Sequence, residues 1–97
     1  MFAVIFKAKV GQLDEQYGEM VATMRQLAFE QYQCIDFVAV SEGELEVAIS
    51  YWHSLDDIQA WRNDKTHQQA QALGKSRWYQ SYNVEVVEVK RSYDFTA

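Results

Sequence analysis

A chain of 97 residues is a single domain, and folding at that length hides only roughly 60 to 65% of the unfolded surface. Nine Lys and Arg stand against fourteen Asp and Glu, a net charge of -5 that argues against nucleic-acid and anionic-membrane partners, which are bound by neutralising phosphate. Three Trp, six Tyr and five Phe are more rings than so small a core encloses, so some are expected to line a cavity or a subunit interface.

Phe2 to Val10 is a run of Val, Ile, Phe and Ala without a breaker and predicts a first strand, ended by Gly11. From Leu13 the apolar positions Tyr17, Met20, Val21, Met24, Leu27, Ala28 and Tyr32 recur every three or four residues, which predicts about five turns of helix. Ile35 to Val40 and Leu45 to Trp52 read as two strands joined by a hairpin over Ser41 to Glu44. In the second of these, Leu45, Val47, Ile49 and Tyr51 alternate with Glu46, Ala48, Ser50 and Trp52, so one face is inward. Ser54, with Asp57 three positions on, resembles a capping box and starts a short helix with Leu55, Ile58 and Trp61 inward. Asn63 or Asp64 can cap the next helix, expected to run to about Tyr79. The last strand is placed at Tyr82 to Arg91, and its apolar face changes from Tyr82, Val84 and Val86 to Val87 and Val89. That change implies a bulge or a strand that leaves its own subunit to pack on a neighbour's sheet.

This order, strand, helix, strand, strand, helix pair, strand, is the ferredoxin-like split βαβ arrangement of the α+β class, an antiparallel sheet with helices on one face, filling residues 1–97 as one domain. The single Cys34 forms no internal disulfide. The amino terminus is broken at Lys7 with no cleavage region after it, and no run approaches the roughly 20 apolar residues of a membrane span. A cytoplasmic protein with no membrane partner is expected.

Three stretches carry a resemblance: AVIFKAKVG near the start, ISYWHSLDDIQAWRNDKTHQQAQ in the middle and RWYQSYNVEVVEVKRSY near the end. Together they resemble the antibiotic biosynthesis monooxygenase domain, over nearly the whole chain. The resemblance implies a homodimer, a dimeric α/β barrel with one pocket per subunit. Some members oxidise phenols, quinols or anthrones with O2 and no metal or flavin, others degrade haem, and others isomerise small signals. Haem-degrading members are similar in having an Asn on the first strand, a Trp matching Trp61 and an axial His on the following helix. Here the first strand has no Asn, and about one turn beyond His67, where that ligand is expected, stands Gln71. The haem branch is thereby disfavoured, and no cofactor and no metal are expected.

Oxygen chemistry without a cofactor requires a base for an electron-rich aromatic, an apolar cavity and donors that hold the anion. His67 is the candidate base, because imidazole titrates near neutral pH. Asn63 and Arg77 are candidates to hold substrate oxygens, and Trp61, Trp78 and Tyr51 to wall the ring of a small aromatic substrate. Each has a plainer competitor: His67 as a surface or capping residue, the tryptophans as core, Asn63 as a helix cap and Arg77 as half of a surface ion pair. His53 is read as structural. Cys34 lacks a local His or cation to activate it. The function expected is a cofactor-independent monooxygenase acting on a quinol- or anthrone-like aromatic; the alternative is a dimeric binding or stress-response protein that holds a small hydrophobic molecule without turning it over.

Overall fold

A computed structural model describes all 97 residues. Four strands, β1 (Phe2–Val10), β2 (Asp36–Glu42), β3 (Leu45–Trp52) and β4 (Tyr79–Glu88), form one antiparallel sheet in the order β2-β3-β1-β4. Three helices, α1 (Glu15–Gln31), α2 (Leu55–Arg62) and α3 (Lys65–Leu73), interrupt them, and a π-helical turn over Gly74–Trp78 leads into β4. This is the expected ferredoxin-like α+β fold. No helix is long and apolar enough to cross a membrane.

Local chemistry fixes the boundaries. Asp14 caps α1 by accepting from the Tyr17 N–H at 3.0 Å. Ser54 caps α2 by accepting from Asp57 N–H at 3.2 Å, and Asp64 caps α3 by accepting from Thr66 N–H at 2.8 Å. Each oxygen satisfies one of the N–H groups that a helix start leaves without an internal partner. Gly43, at φ +59, turns β2 into β3, a conformation that costs glycine little because it has no Cβ.

The helices cover the pleat that carries Val4, Phe6 and Ala8 of β1 and Ala48 and Ser50 of β3. Val4 and Trp52 join Met24, Ala28, Ile58 and Trp61 in one buried cluster. The inward face of β3 is therefore Glu46, Ala48, Ser50 and Trp52, which puts Tyr51, expected at the pocket, on the other side. Alternation identifies two faces of a strand but not which one the helices cover. On the uncovered face Ile5 pairs with Ile49 and Lys7 with Val47, while Val38 and Val40 of β2 remain 47% and 59% exposed.

The last strand differs as well. It begins at Tyr79 and stays paired with β1 from Lys9↔Ser81 to Phe2↔Glu88; its one irregularity lies between Lys9 and Val10. No bulge separates Val86 from Val87, and the strand does not leave its own sheet. Val86 faces the helices and Val87 the uncovered side, so β4 is apolar on both faces. The expected long helix to Tyr79 ends instead at Leu73, where the π turn begins.

Candidate functional site

Between the sheet and helices α1 and α3, the side chains that meet are small: Ala39, Ala48, Ser50 and Ala70. They leave a cavity of about 150 Å3 whose 19 lining residues include 14 hydrophobic ones. Dry apolar cavities of about this volume take up a single aromatic ring. Within apolar walls, a few polar groups decide what binds and in which orientation.

One polar end is built by α2 and α3. Trp61, buried near the end of α2, donates its indole N–H to the Met24 carbonyl at 3.3 Å and packs against Trp52 with ring centroids 5.1 Å apart. Its other edge meets His67, the centroids 4.4 Å apart and the rings 76° from parallel. His67 Nδ1 is buried and has no hydrogen-bond partner. Burial first, and the Arg62 charge second, depress the His67 pKa to about 4, so the imidazole is neutral at physiological pH. A buried ring nitrogen without a partner is costly in a folded protein, and the cavity lies against the same side chain.

The other end is aromatic and acidic. Tyr17 of α1, Tyr79 and Tyr82 of β4 and Phe6 of β1 gather around Glu46, all of them lining the cavity. Phe6 meets Tyr79 at 5.3 Å and Tyr82 at 5.6 Å, and Tyr17 meets Tyr79 at 6.1 Å between centroids. Burial raises the Tyr17 phenol far above the ordinary tyrosine range, reinforced by the Tyr79 hydroxyl and Glu46. Tyr79 is raised by burial also, so both stay protonated phenols. The Tyr79 ring lies over Gly74, where a Cβ would fall 2.6 Å from its Cε2. Gly74 has an ordinary helical φ of -57, so glycine is needed there for space alone.

Of the residues singled out in the sequence, the structure brings Trp61 and His67 together at the cavity; Asn63, Tyr51, Trp78 and Arg77 do not line it. Asn63 is exposed at the end of α2, where its side-chain oxygen accepts from Gln59 Nε2 at 3.3 Å. Tyr51 lies on the uncovered face of the sheet, because β3 turns its even-numbered residues to the helices. Trp78 and Arg77 belong to a clasp between the π turn and the start of α1. The Trp78 indole donates to Asp14 Oδ1 at 3.1 Å, and Arg77 donates to Asp14 Oδ2 at 2.6 Å and to Gln16 Oε1 at 2.8 Å. Gln71 does line the cavity. Sequence reasoning passed over Glu46, Tyr79 and Tyr82; the available signal was a lone acid among the small residues of β3. No group of three or more His, Cys, Asp or Glu is gathered where it could hold a metal ion.

The same architecture occurs in SnoaB, a cofactor-independent oxygenase from Streptomyces nogalater, at TM-score 0.79 with 10% identity and 94% of each chain covered. A conserved protein from Methanosarcina mazei Go1 matches at TM-score 0.79 with 12% identity over 92% of each chain. An antibiotic biosynthesis monooxygenase matches at 0.68 with 14% identity, over 94% of this chain and 100% of that one. The fold is thus that of the antibiotic biosynthesis monooxygenases. No family model matches the sequence. The uncharacterized protein YqjZ of Bacillus subtilis is 38% identical over 91 residues, which span 93% of this chain and 80% of that protein. The chain belongs to one family with YqjZ and has the fold of the antibiotic biosynthesis monooxygenases.

Proposed function

We propose that the cavity is the site of a cofactor-independent monooxygenase that oxidises a small quinol-like aromatic with O2. The observation that carries this reading is the buried, unpartnered His67 Nδ1 beside Trp61 in an apolar space of about 150 Å3. That volume suits a one-ring quinol better than a three-ring anthrone.

In this reading the quinol ring lies against Trp61, and one of its hydroxyls donates to His67 Nδ1. A phenol ionises near pH 10 and His67 has a pKa of about 4, so full proton transfer before oxidation costs about 8 kcal/mol. The proton therefore moves to His67 as the electron passes to O2, because oxidation makes the ring hydroxyl strongly acidic. The semiquinone and the reduced oxygen join at a ring carbon. The resulting hydroperoxide loses water, taking back the proton from His67, and the ring keeps the other oxygen atom. Net, quinol and O2 give hydroxyquinone and water, with no outside reductant.

Oxygen uptake by chelator-treated protein over a panel of one-ring quinols, with product analysis under 18O2, tests the proposal. The expected product holds one labelled oxygen, and His67→Gln should lower kcat/KM about 100-fold, the scale of a lost acid-base group. Peroxide with no label in the product, or no uptake at all, would reject it. A second reading, a protein that binds an aromatic without turnover, draws support from one feature: no side chain orients the His67 ring from its far side, as catalytic bases usually require. Saturable quinol binding without uptake would favour it.

The subunit arrangement we propose is a homodimer joined through the uncovered sheet face, where Ile5, Val38, Val47, Ile49 and Val87 share one pleat. A stable interface of that kind buries roughly 2,000 Å2 or more in total. Sedimentation at micromolar concentration tests it: two chain masses are expected, and a stable 11.3 kDa species would reject it.

A further inference from the structure

Glu46 is out of keeping with its surroundings. It sits on the helix-facing pleat of β3 and lines an apolar cavity, with only Ala8 and Ser41 opposite it across the sheet. Both neighbours are small, and Glu46 lines the cavity beside them. Its carboxylate accepts from the Ser41 hydroxyl at 3.0 Å, and the Tyr17 hydroxyl lies beside it. None of the four ion pairs of the fold includes it; they use Glu85, Glu44, Asp14 and Glu88. A carboxylate at the cavity wall without a cation is a ready partner for a positive ligand. The walls around it are the rings of Phe6, Tyr17, Tyr79 and Tyr82, and aromatic faces attract cations through their negative quadrupole. A neutral hydroxyl at this point would satisfy one lone pair and leave the charge uncompensated.

We propose that Glu46, boxed by Tyr17, Tyr79 and Tyr82, is a recognition point for a protonated amine, so that the cavity selects an amine-bearing phenol over its neutral counterpart. The proposal rests on the reading of the cavity as the ligand site. His67 takes the phenol hydroxyl at one end, the apolar walls take the ring, and Glu46 takes the ammonium at the other. Backbone length is consistent with the division: Ser50, beside the Trp61 end, and Glu46 are four residues apart on one strand, roughly 13 Å. A ring with a short amine arm and a hydrogen bond at each end fills that span. Gly74 is a positioning residue for the box, since its missing Cβ admits the Tyr79 ring.

Two probes of nearly equal shape test it by titration calorimetry: tyramine, and 4-(2-hydroxyethyl)phenol, in which a neutral hydroxyl replaces the amine. The unmodified protein should bind tyramine about tenfold or more tightly than the neutral probe, as a charge-assisted hydrogen bond requires. In Glu46→Gln, which keeps the side-chain shape and an acceptor for Ser41, the preference should fall to within about twofold. The neutral probe should still bind that variant, which also reports that it is folded. Equal affinity of the two probes for the unmodified protein, or a preference that survives Glu46→Gln, overturns the proposal and leaves the cavity as a ligand site. Ala48→Phe fills the cavity and should abolish binding of both probes. If neither probe binds the unmodified protein, or both still bind Ala48→Phe, the cavity reading itself fails and this proposal falls with it.

Discussion

Lowering the pH should destabilise this protein through one histidine, and the size of the effect follows from where His67 lies. Its imidazole is neutral in the folded state down to about pH 4, whereas in the unfolded chain it takes a proton near pH 6.5. Between those values the unfolded state binds the extra proton, so stability falls with falling pH. The loss begins below about pH 6.5, amounts to about 2 kcal/mol at pH 5 and levels off near 3 kcal/mol around pH 4. Solvent reaching the ring through the open side of the cavity makes these upper values. Carboxylates also titrate in acid; Asp64, lowered by its hydrogen bond from Tyr32, is one of them. The His67 part is therefore isolated by comparing the protein with His67→Gln. Urea unfolding of both at fixed chain concentration, at pH 8, 6 and 5, should show the unmodified protein losing up to about 2 kcal/mol more than the variant between pH 8 and 5. Parallel stability curves would mean that the ring titrates freely in the folded state, and the picture of a buried neutral imidazole would be refuted.

Other perturbations probe other parts of the same cavity. Trp61→Ala should cost about 3 to 5 kcal/mol, since it empties the space between Trp52, Phe37 and His67; Trp61→Phe should cost nearer 1 kcal/mol, the indole hydrogen bond to Met24. Thermal unfolding of the pair checks this, and equal losses would count against it. Gly74→Ala should destabilise by about 1 to 3 kcal/mol, with a changed near-ultraviolet tyrosine signal as the Tyr79 ring is pushed aside. Asp14→Ala removes the α1 cap and the partner of both Arg77 and Trp78, and chemical denaturation should register about 2 to 3 kcal/mol, more than a cap alone. Ile49→Glu puts a charge on the uncovered sheet face and should shift sedimentation toward the single-chain mass; an unchanged profile would leave that face without a partner.

Much of the fold was legible because its signals are local. The apolar stripe of α1 recurs at Tyr17, Met24 and Ala28, the three residues it buries, and Gly43 marks the hairpin between β2 and β3. The misplacement of Tyr51 at the pocket has a specific cause. Leu45, Val47, Ile49 and Tyr51 are more hydrophobic than Glu46, Ala48 and Ser50, and periodicity finds the more hydrophobic face. Here that face is turned away from the helices, and the helix side is polar and small because a cavity lies over it. The end of β4 was misread for a related reason. A strand apolar on both faces looks like one that changes face, and only the unbroken pairing of Ser81 to Glu88 with β1 separates the two.

The candidate site was legible only where function and packing coincide. Trp61 and His67 stand six positions apart, on separate helices, and the cap at Asp64 turns the chain so that their rings meet. Trp78 and Arg77 looked equally eligible, but both are drawn to Asp14, sixty-odd positions earlier in the chain, a partner no local pattern could name. Glu46 was hidden for the opposite reason. An acid that alternates with apolar residues on a strand ordinarily marks the solvent face, and it reads as a ligand contact only once the helices are known to cover its side. The misplacement of Tyr51 and the omission of Glu46 therefore share one cause. Had the helices been placed over the small residues Ala48 and Ser50, the charge among them would have been the first thing to explain.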